Sequence, residues 1–379
     1  MSVVEKVDVF PVRLPMLKSF SFASGTAGRI SDGAPHVFVK VTDSDGCFGW
    51  GEARPVPGWS SETLESVTSS LRRYLAPAIT GLQIDDRWQM HRLFHRVLGR
   101  GPSDGQPIAR AALDVALHDL AARASGKTLR AFLGGSDARD TIKLSFTLLA
   151  HSRDEVAAEV EEARAQGFEH FNFKAGWSPE CDGEVAETIR ETAGPDAFVW
   201  ADANQGLRPS VMRATASRLL AAGCNVLEQP VAADQLPLHR SLRASTDIPL
   251  AVDEASVGPS DFLRYVELRL VEYLVIKVTR SGGLWPSVQQ LAIAHAAGLD
   301  LLVSGLTDGF ITKLAAAQLA VAYGFGGPAA LNGSQFTDES ALFPEKSLIE
   351  GGGRLRLNKE PGLGATPDES ALKHFRADV

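Results

Sequence analysis

Three acidic residues end short apolar segments at a regular interval in the second half of the chain. Successive members of this set, Asp202, Glu228 and Asp253, are 26 and 25 residues apart. An interval of this length accommodates one strand and one helix, and its repetition predicts a parallel α/β barrel. Because the carboxyl ends of barrel strands meet at the rim that carries the active site, we expect the three acids to converge there.

Eight apolar segments fit this rhythm, and eight is the number of strands in such a barrel. The stretches between them have apolar residues at helical spacing and tend to end at glycine, as amphipathic helices do. The predicted strands are KLSFTLL (143–149), HFNFK (170–174), AFVWADAN (197–204), NVLEQP (225–230), PLAVDE (249–254), YLVIKVT (273–279), DLLVSGL (300–306) and AALNGS (329–334).

The first part of the chain has a different pattern, in which strands precede helices. Alternating apolar and polar residues predict strands at 4–14 and 36–52, the second folded into a hairpin at the turn SDG. Helical spacing predicts helices at 61–79 and 108–127. Residues 17–35 are rich in Gly, Ser and aromatic residues without periodicity, which predicts a mobile loop.

These patterns divide the chain into three predicted parts. An α+β domain occupies residues 1–137 and the barrel occupies 138–340. The last segment, 341–379, is too rich in glycine for another barrel unit, and we expect it to pack back on the first domain.

Composition limits the classes of function. The 379 residues, 44% of them hydrophobic, can bury a large core, and a net charge of −8 gives no general attraction to nucleic acid or acidic membranes. Cys47, Cys181 and Cys224 are too widely separated for a disulfide framework or a CxxC metal site. With neither a signal-peptide core nor a membrane-spanning segment in the sequence, we expect a soluble cytoplasmic protein.

Each of the three acids, taken alone, is equally well explained as the N-cap of the following helix. Three in succession favour a shared metal site, and hard oxygen ligands suit Mg²⁺, with Mn²⁺ as the alternative ion. Each acid also stands beside a second polar residue that can orient the ligand carboxylates through hydrogen bonds. These neighbours are Asn204, Gln229 and Glu254.

Two lysines flank the acids in the sequence, each at the end of an apolar strand. Lys174 and Lys277 cannot easily reach solvent from inside a barrel, and burial and nearby positive charge would lower a lysine's pKa toward that of a general base. The alternative is a structural ion pair with a carboxylate. Asn172 precedes Lys174 by two residues and faces the same side of the strand. His118 and His295 lie in helical segments and are predicted to be packing or surface residues.

In combination these motifs resemble the muconate-lactonizing branch of the enolase superfamily, in the mandelate racemase/muconate lactonizing enzyme family, over nearly the whole chain. The resemblance implies an N-terminal α+β capping domain and a modified (β/α)7β TIM-type barrel. It implies Mg²⁺ held by the three acids, with the two lysines facing each other across the substrate as acid and base. The motifs are ARAALDVALHDLAARASGKTLRAFLGG (109–135), ADAN (201–204), LEQP (227–230), VDE (252–254) and IKVTRSGG (276–283).

The chain departs from the family pattern at two strands. The family usually has Lys-x-Lys at the second strand, where this chain has Asn172 in the first position. Dipeptide epimerases of the branch have two acids at the eighth strand, and muconate cycloisomerases have a glutamate there, whereas this chain has Ala330 and Asn332. Asp308 matches the family's acid after the seventh strand. Predicted substrate contacts are Asn172, Asp308 and Asn332, beneath capping loops at 20–29 and 55–60.

The predicted function is a Mg²⁺-dependent isomerase that removes the proton α to a substrate carboxylate through a metal-stabilised enolate. Racemisation or epimerisation of an N-substituted amino acid or related acid, or cycloisomerisation, leads over dehydration of a hydroxy acid. A metal-independent Schiff-base aldolase and a non-catalytic metal-binding protein are alternatives from other classes. The expected partner is a small-molecule carboxylate, with neither nucleic acid nor membrane, and a homo-oligomer is expected.

Overall fold

The computed structural model of the protein describes residues 2–22, 25–101, 103–345 and 350–379. Within these ranges no helix combines the length and the apolar character that crossing a membrane requires. The chain forms an N-terminal sheet-and-helix domain, here called the capping domain, and an eight-stranded barrel.

The capping domain is built on a three-stranded antiparallel sheet in which residues 34–43 lie between residues 4–14 and 48–53. Its predicted hairpin and its two predicted helices are present, and the first helix contains a π-helical turn at Leu71–Leu75. The strands are β1 (Val4–Leu14), β2 (Phe20–Phe22), β3 (Gly25–Gly28), β4 (Ala34–Asp43) and β5 (Phe48–Ala53), and the helices are α1 (Leu64–Ser70), α2 (Ala76–Ile79), α3 (Arg87–Val97), α4 (Pro107–Ala124) and α5 (Leu129–Phe132).

The prediction of a loop without elements at 17–35 is wrong. Strands β2 and β3 pair antiparallel there, and Phe20 stacks on Phe336 with ring centroids 4.6 Å apart. Short glycine-containing strands leave little periodic signal, and the aromatic partner is remote in sequence, so tertiary packing rather than local pattern orders this hairpin. Ala23 and Ser24 lie outside the described residues.

Helix α4 packs closely on β5 because two glycines of the strand remove the side chains between them. A Cβ atom at Gly51 would lie 1.9 Å from the carbonyl oxygen of Ala112, and one at Gly49 would lie 2.2 Å from the amide nitrogen of Leu120. The buried Asp119 of the same helix accepts a 2.8 Å hydrogen bond from the backbone N–H of Trp50. Close approach and this buried contact fix the helix on the sheet.

The barrel sheet has eight parallel strands in sequence order, and each lies within one of the eight predicted segments. A parallel bridge between Leu144 and Ala329 joins its two ends. A short strand, β6 (Thr141–Lys143), precedes it. The barrel strands are β7 (Ser145–Leu148), β8 (His170–Lys174), β9 (Val199–Asp202), β10 (Val226–Glu228), β11 (Leu250–Val252), β12 (Tyr273–Ile276), β13 (Asp300–Ser304) and β14 (Ala329–Ala330).

Side chains two residues before the functional positions form an apolar layer inside the barrel. Because successive strand residues alternate in direction, a residue at position i−2 points to the same side as the functional residue and lies one layer deeper. A packed apolar layer, here called the floor cluster, therefore lies beneath the side chains of Asp202, Glu228, Asp253 and Lys277. The floor cluster is Trp200, Val226, Ala251, Val275, Leu302 and Ala330.

Helices follow the barrel strands, and the C-terminal segment returns to both domains. Residues 354–356 pair with residues 350–351 and with β6 at the start of the barrel, and Leu363 donates its backbone N–H to Asp119 of the capping domain. These contacts agree with the expected return, while the exact domain boundaries stay a prediction. The elements are α6 (Arg153–Ala165), α7 (Pro179–Ala193), α8 (Met212–Ala221), α9 (Leu236–Arg243), α10 (Pro259–Glu267), α11 (Val278–Ser281), α12 (Leu284–Ala297), α13 (Phe310–Ala322), β15 (Glu350–Gly351), β16 (Arg354–Arg356) and α14 (Glu369–His374).

Candidate active site

The barrel places the two lysines and the three acids in one buried cluster. On adjacent strands Lys174 is opposite Asp202, and Asp202 is opposite Glu228. Lys174 Nζ donates a 2.6 Å hydrogen bond to Asp202 Oδ2. Lys277 Nζ donates to Asp253 Oδ2 and lies 3.6 Å from Glu228 Oε1. Both lysines thus form ion pairs with the acids expected to bind the metal.

Arg280 belongs to this cluster although sequence reasoning did not select it. Its Nη1 donates to Asp253 Oδ1, and only 8% of the residue is exposed. No described residue accepts a hydrogen bond from its Nη2 atom. Its position three residues after Lys277 was the available signal, because the short α11 turn returns that side chain toward the barrel mouth.

The acids do not share one electrostatic state. Burial, together with the neighbouring Asp202, raises the pKa of Glu228 well above its usual range. Burial and the nearby Asp253 raise the pKa of Glu254 to about 7. Although burial opposes ionisation of Asp253, the charges of Arg280 and Lys277 hold its pKa below the ordinary value. A cluster of buried carboxylates with raised pKa values is a place where additional positive charge stabilises the ionised forms.

The pKa of Lys277 is raised, contrary to the expectation of a lowered value. Burial disfavours its ammonium form, but the attraction of Asp253 outweighs burial. The expectation rested on positive neighbours and desolvation, whereas Lys277 makes the carboxylate contact that the sequence analysis gave as the alternative.

The donor set suits a divalent cation. Trp200 Nε1 donates a 2.6 Å hydrogen bond to Glu228 Oε2, which leaves Oε1 buried without a hydrogen-bond partner among the described residues. In the described ranges no three His, Cys, Asp or Glu side chains adopt a ready metal-binding arrangement. Instead, Lys174, Lys277 and Arg280 form ion pairs with oxygens of Asp202 and Asp253. The residues present are hard oxygen donors of the kind that Mg²⁺ prefers.

The polar neighbours of the acids contact the cluster directly. The backbone N–H of Asn204 donates to Asp202 Oδ1 at 2.9 Å, and its Nδ2 donates to Glu254 Oε1 at 2.9 Å. Gln229 Oε1 accepts the backbone N–H of Asp253 at 3.0 Å. These bonds orient the segments that carry the acids, and a role in metal binding stays a prediction.

Asn172 and Asn332 lie in a neutral polar network formed by β7, β8 and the turn after β14, beside the strand that carries Lys174. Asn172 accepts from Ser145 at 3.0 Å and donates to Thr147 Oγ1 at 2.9 Å, and Asn332 also donates to Thr147 Oγ1. Ala330 lies in the apolar floor cluster. No carboxylate stands at either eighth-strand position, as the sequence indicated.

Asp308 is directed into the protein rather than presented freely to a ligand. Its Oδ1 accepts a 2.8 Å hydrogen bond from Thr279, and its Oδ2 accepts the backbone N–H of Leu306 at 3.0 Å. Burial raises its pKa to about 6. Nearby, the fully buried Arg54 of the capping domain donates to the carbonyl of Thr307 at 2.9 Å. This contact ties the capping domain to the turn after β13.

Two aromatic residues of the capping loops cover the lysines. The indole of Trp59 lies 5.2 Å from Lys174 Nζ and 5.2 Å from Lys277 Nζ, and Phe20 lies 5.4 Å from Lys174 Nζ. Trp59 Nε1 also donates to Glu254 Oε1 at 3.3 Å. Both aromatic residues lie in the segments 20–29 and 55–60, where the sequence places the capping loops.

Two family models account for most of the chain. Residues 6–134 match the mandelate racemase/muconate lactonizing enzyme N-terminal domain, and residues 155–371 match the enolase C-terminal domain-like family. The chain belongs to the mandelate racemase/muconate lactonizing enzyme family. The resemblance inferred from the motifs is confirmed, and so is the fold of a capping domain with a modified barrel.

The sequences of relatives in the enolase superfamily align with almost the whole chain. An L-Lys-D/L-Arg epimerase of Methylococcus capsulatus is 30% identical over 95% of this chain and 98% of its own length. An N-succinyl-L-Arg/Lys racemase of Bacillus cereus is 25% identical over 98% and 97%. A dipeptide epimerase of Cytophaga hutchinsonii, solved with Mg and the dipeptide D-Ala-L-Val, shares the fold with a TM-score of 0.88 at 23% identity over 98% of each chain.

Proposed function

We propose that this protein is a Mg²⁺-dependent racemase or epimerase that works on the carbon α to the carboxylate of an N-substituted amino acid. One observation carries the proposal. Lys174 and Lys277 lie on β8 and β12, the second and sixth of the eight barrel strands, and both Nζ atoms lie 5.2 Å from the Trp59 indole. Strands four places apart are opposed across a barrel of eight, so the two amines border one space from two sides.

Opposed amines suit reactions that remove a proton on one face of a carbon and return it on the other. Lys174 would take or give the proton on one face and Lys277 on the opposite face. Trp59 and Phe20 cover the amines and exclude water from the space between them. The relatives of this chain include racemases and epimerases, which supports an isomerase reaction.

The carboxylates of Asp202, Glu228 and Asp253 would hold Mg²⁺. The same oxygens could hold Mn²⁺ in its place. When bound, the cation supplies charge that attracts the substrate carboxylate and stabilises negative charge developing on its oxygens. Asn204 and Gln229 position the segments that carry these ligands through the hydrogen bonds described above.

The substrate is proposed to lack a free α-ammonium group. Thr147 of β7, Asn172 of β8 and Asn332 after β14 form a network of neutral side chains where a dipeptide epimerase would have acids. Asp308 is engaged by Thr279 and the backbone. A buried ammonium without a carboxylate partner is costly, whereas an N-acyl group matches amide and hydroxyl donors. The racemase of Bacillus cereus acts on an N-succinyl amino acid, which agrees with this choice.

The test is α-proton exchange in D₂O, followed by NMR and chiral chromatography. N-succinyl and N-acetyl amino acids are compared with unblocked dipeptides of the same side chains, with and without Mg²⁺. We expect Mg²⁺-dependent exchange and loss of optical purity with the N-acylated compounds only. Faster turnover of an unblocked dipeptide would reject the substrate proposal, and exchange unaffected by chelation would reject the metal proposal.

The cytoplasmic location and the homo-oligomeric state also stay predictions of this proposal. Light scattering coupled to size-exclusion chromatography measures the oligomeric state directly, and a monomer would contradict it. Fractionation of the producing cells tests the location.

A further inference from the structure

A second cavity lies where the capping domain meets the barrel, and its described lining contains none of the acids or lysines discussed above. Its volume is about 230 Å³. Helix α3 and the start of α4 form one wall, and the first residues of α10 and α12 form the other. A concave space suits a small molecule better than the flat surface of a protein partner, and this volume, below that of most ligand pockets, limits the molecule to about one ring.

One face of helix α3 lines this cavity. Trp88, His91, Arg92 and His95 recur at intervals of three and four residues, so their side chains share one side of the helix. Trp88 is 60% exposed, which is high for a large aromatic side chain. Trp285 of α12 also lines the cavity. The walls therefore supply two indoles on which a flat ring can pack.

The charged groups of the cavity are predominantly positive. The described residues of its lining include three arginines, Arg92, Arg100 and Arg110, but only one carboxylate, Asp104. Asp104 forms a 2.7 Å ion pair with Arg100 Nε. The carboxylate beside His91 is Asp114, which binds that imidazole at 2.7 Å. In a chain of net charge −8, a positive cavity attracts anions selectively.

Two of the three guanidinium groups retain donors for a ligand. Among the described residues none forms a hydrogen bond or an ion pair with the Arg92 side chain. Arg110 is 2% exposed, and its Nη1 donates to His95 Nδ1 at 2.8 Å. The Nε atom of Arg110 is buried without an acceptor in the same described set. A buried unsatisfied donor is costly, and this guanidinium, whose Nη2 donates to the carbonyl of Leu98, also lines the cavity.

We propose that this cavity binds a small organic anion with a flat ring, of the aryl phosphate or aryl carboxylate class. Arg92 and Arg110 bind the anionic group, and Trp88 and Trp285 pack against the ring. The site is separate from the barrel mouth, so this inference does not depend on the proposed racemase activity.

Isothermal titration of the full-length, Mg²⁺-loaded protein tests the proposal with phenyl phosphate and benzoate as the two aryl anions. Benzyl alcohol is the uncharged control, and inorganic phosphate is the control without a ring. We expect at least one aryl anion to bind, and to bind about tenfold or more tightly than either control.

Variants locate the binding. Arg92→Gln and Trp88→Ala, both at exposed side chains, should each weaken aryl-anion binding by about tenfold, and Arg110→Gln should do the same if it folds. Arg73→Gln is the matched control, because Arg73 is an exposed arginine outside the cavity. Glu228→Gln should bind the anion as the unmodified protein does, which separates this site from the barrel. Absence of aryl-anion binding would overturn the proposal. So would aryl-anion binding by Arg92→Gln and Trp88→Ala that is as tight as that of the unmodified protein.

Discussion

Lys174 and Asp202 lie opposite each other on neighbouring barrel strands, and a 2.6 Å hydrogen bond joins Lys174 Nζ to Asp202 Oδ2. Lys277 makes an equivalent contact with Asp253 from the opposite side of the barrel. Each proposed proton-transfer group is therefore held by an acid that is also a proposed metal ligand. The acids fix the positions of the lysines and also determine the charge of the site. A substitution of an acid should therefore affect the lysines, and a substitution of a lysine should affect the acids.

Replacement of Glu228 by Gln is expected to remove Mg²⁺-dependent activity without loss of fold. The amide keeps the size of the side chain but cannot supply an anionic oxygen to the cation. Since burial and Asp202 already raise the pKa of Glu228, a neutral group at this position should not lower stability. Calorimetric Mg²⁺ titration and thermal unfolding are the measurements. The exposed Glu267→Gln serves as the control, and unchanged Mg²⁺ affinity in Glu228→Gln would contradict the assignment.

Loss of either lysine is expected to affect the two enantiomers of the substrate unequally. A base can remove a proton only from the face on which it stands, so Lys174→Ala should still exchange the α-proton of one enantiomer and Lys277→Ala that of the other. Neither variant should interconvert the enantiomers, and racemisation should fall by at least about a hundredfold in each. Exchange into D₂O, measured separately for each enantiomer, gives the result. Full racemisation by either single variant would end the two-base mechanism.

Arg54 is expected to position the turn after β13 from the capping domain. It is fully buried and donates to the carbonyls of Thr307 and Ala27, so it connects that turn to the β2–β3 hairpin. Thr307 has a positive φ of 56°, a conformation that needs support from its surroundings. Arg54→Ala should lower the unfolding free energy by on the order of 3 kcal/mol, because the nearby buried acids Asp308 and Glu52 would lose its counter-charge.

Arg54→Lys distinguishes positioning from bulk stability. It keeps the charge but loses the planar set of donors that reaches two carbonyls, so we expect a raised KM with a smaller change in kcat. Denaturant unfolding and steady-state kinetics are compared with those of Arg13→Ala, at an exposed arginine of the same domain. Equal KM and kcat in Arg54→Lys and the unmodified protein would show that the contacts of Arg54 with the carbonyls of Thr307 and Ala27 do not position the site.

The barrel could be predicted from sequence because its information is local and repeated. Each strand is a short apolar segment, and its last residue decides which side chain reaches the rim, as Asp202 and Lys174 show. The β2–β3 hairpin was missed because its order depends on Phe336, more than three hundred residues away in the chain. Contacts of that kind have no signal in a local pattern.

The parts of the site that were missed are those set by partners from other elements. Arg280 stands in a sequence context that does not distinguish a buried ion pair from a helix-surface arginine, and only the fold brings it to Asp253. For Asp308, whose contact with a substrate stays a prediction, only the fold shows that Thr279 and a backbone N–H engage its carboxylate. Residue type and strand position predict which side chains can do chemistry, whereas their partners require the three-dimensional arrangement.

The last prediction concerns the pH dependence of stability through His239. This residue is 1% exposed, and its Nε2 lies 3.2 Å from the Gln229 amide nitrogen, which donates to it. A proton on Nε2 would place two donors against each other. Burial lowers the pKa of His239 to about 4, from about 6.5 in an unfolded chain. Between those values the unfolded state binds the extra proton, so this residue's contribution to stability is lost as pH falls from 6.5 toward 4. A shift of this size corresponds to about 3 kcal/mol of stability lost by pH 4.

His239→Gln should therefore have a shallower decline in urea midpoint between pH 6.5 and 4.5. The urea midpoint of His295→Gln, at an exposed histidine, should decline as that of the unmodified protein does. Parallel curves for His239→Gln and the unmodified protein would show that folding does not lower the pKa of His239.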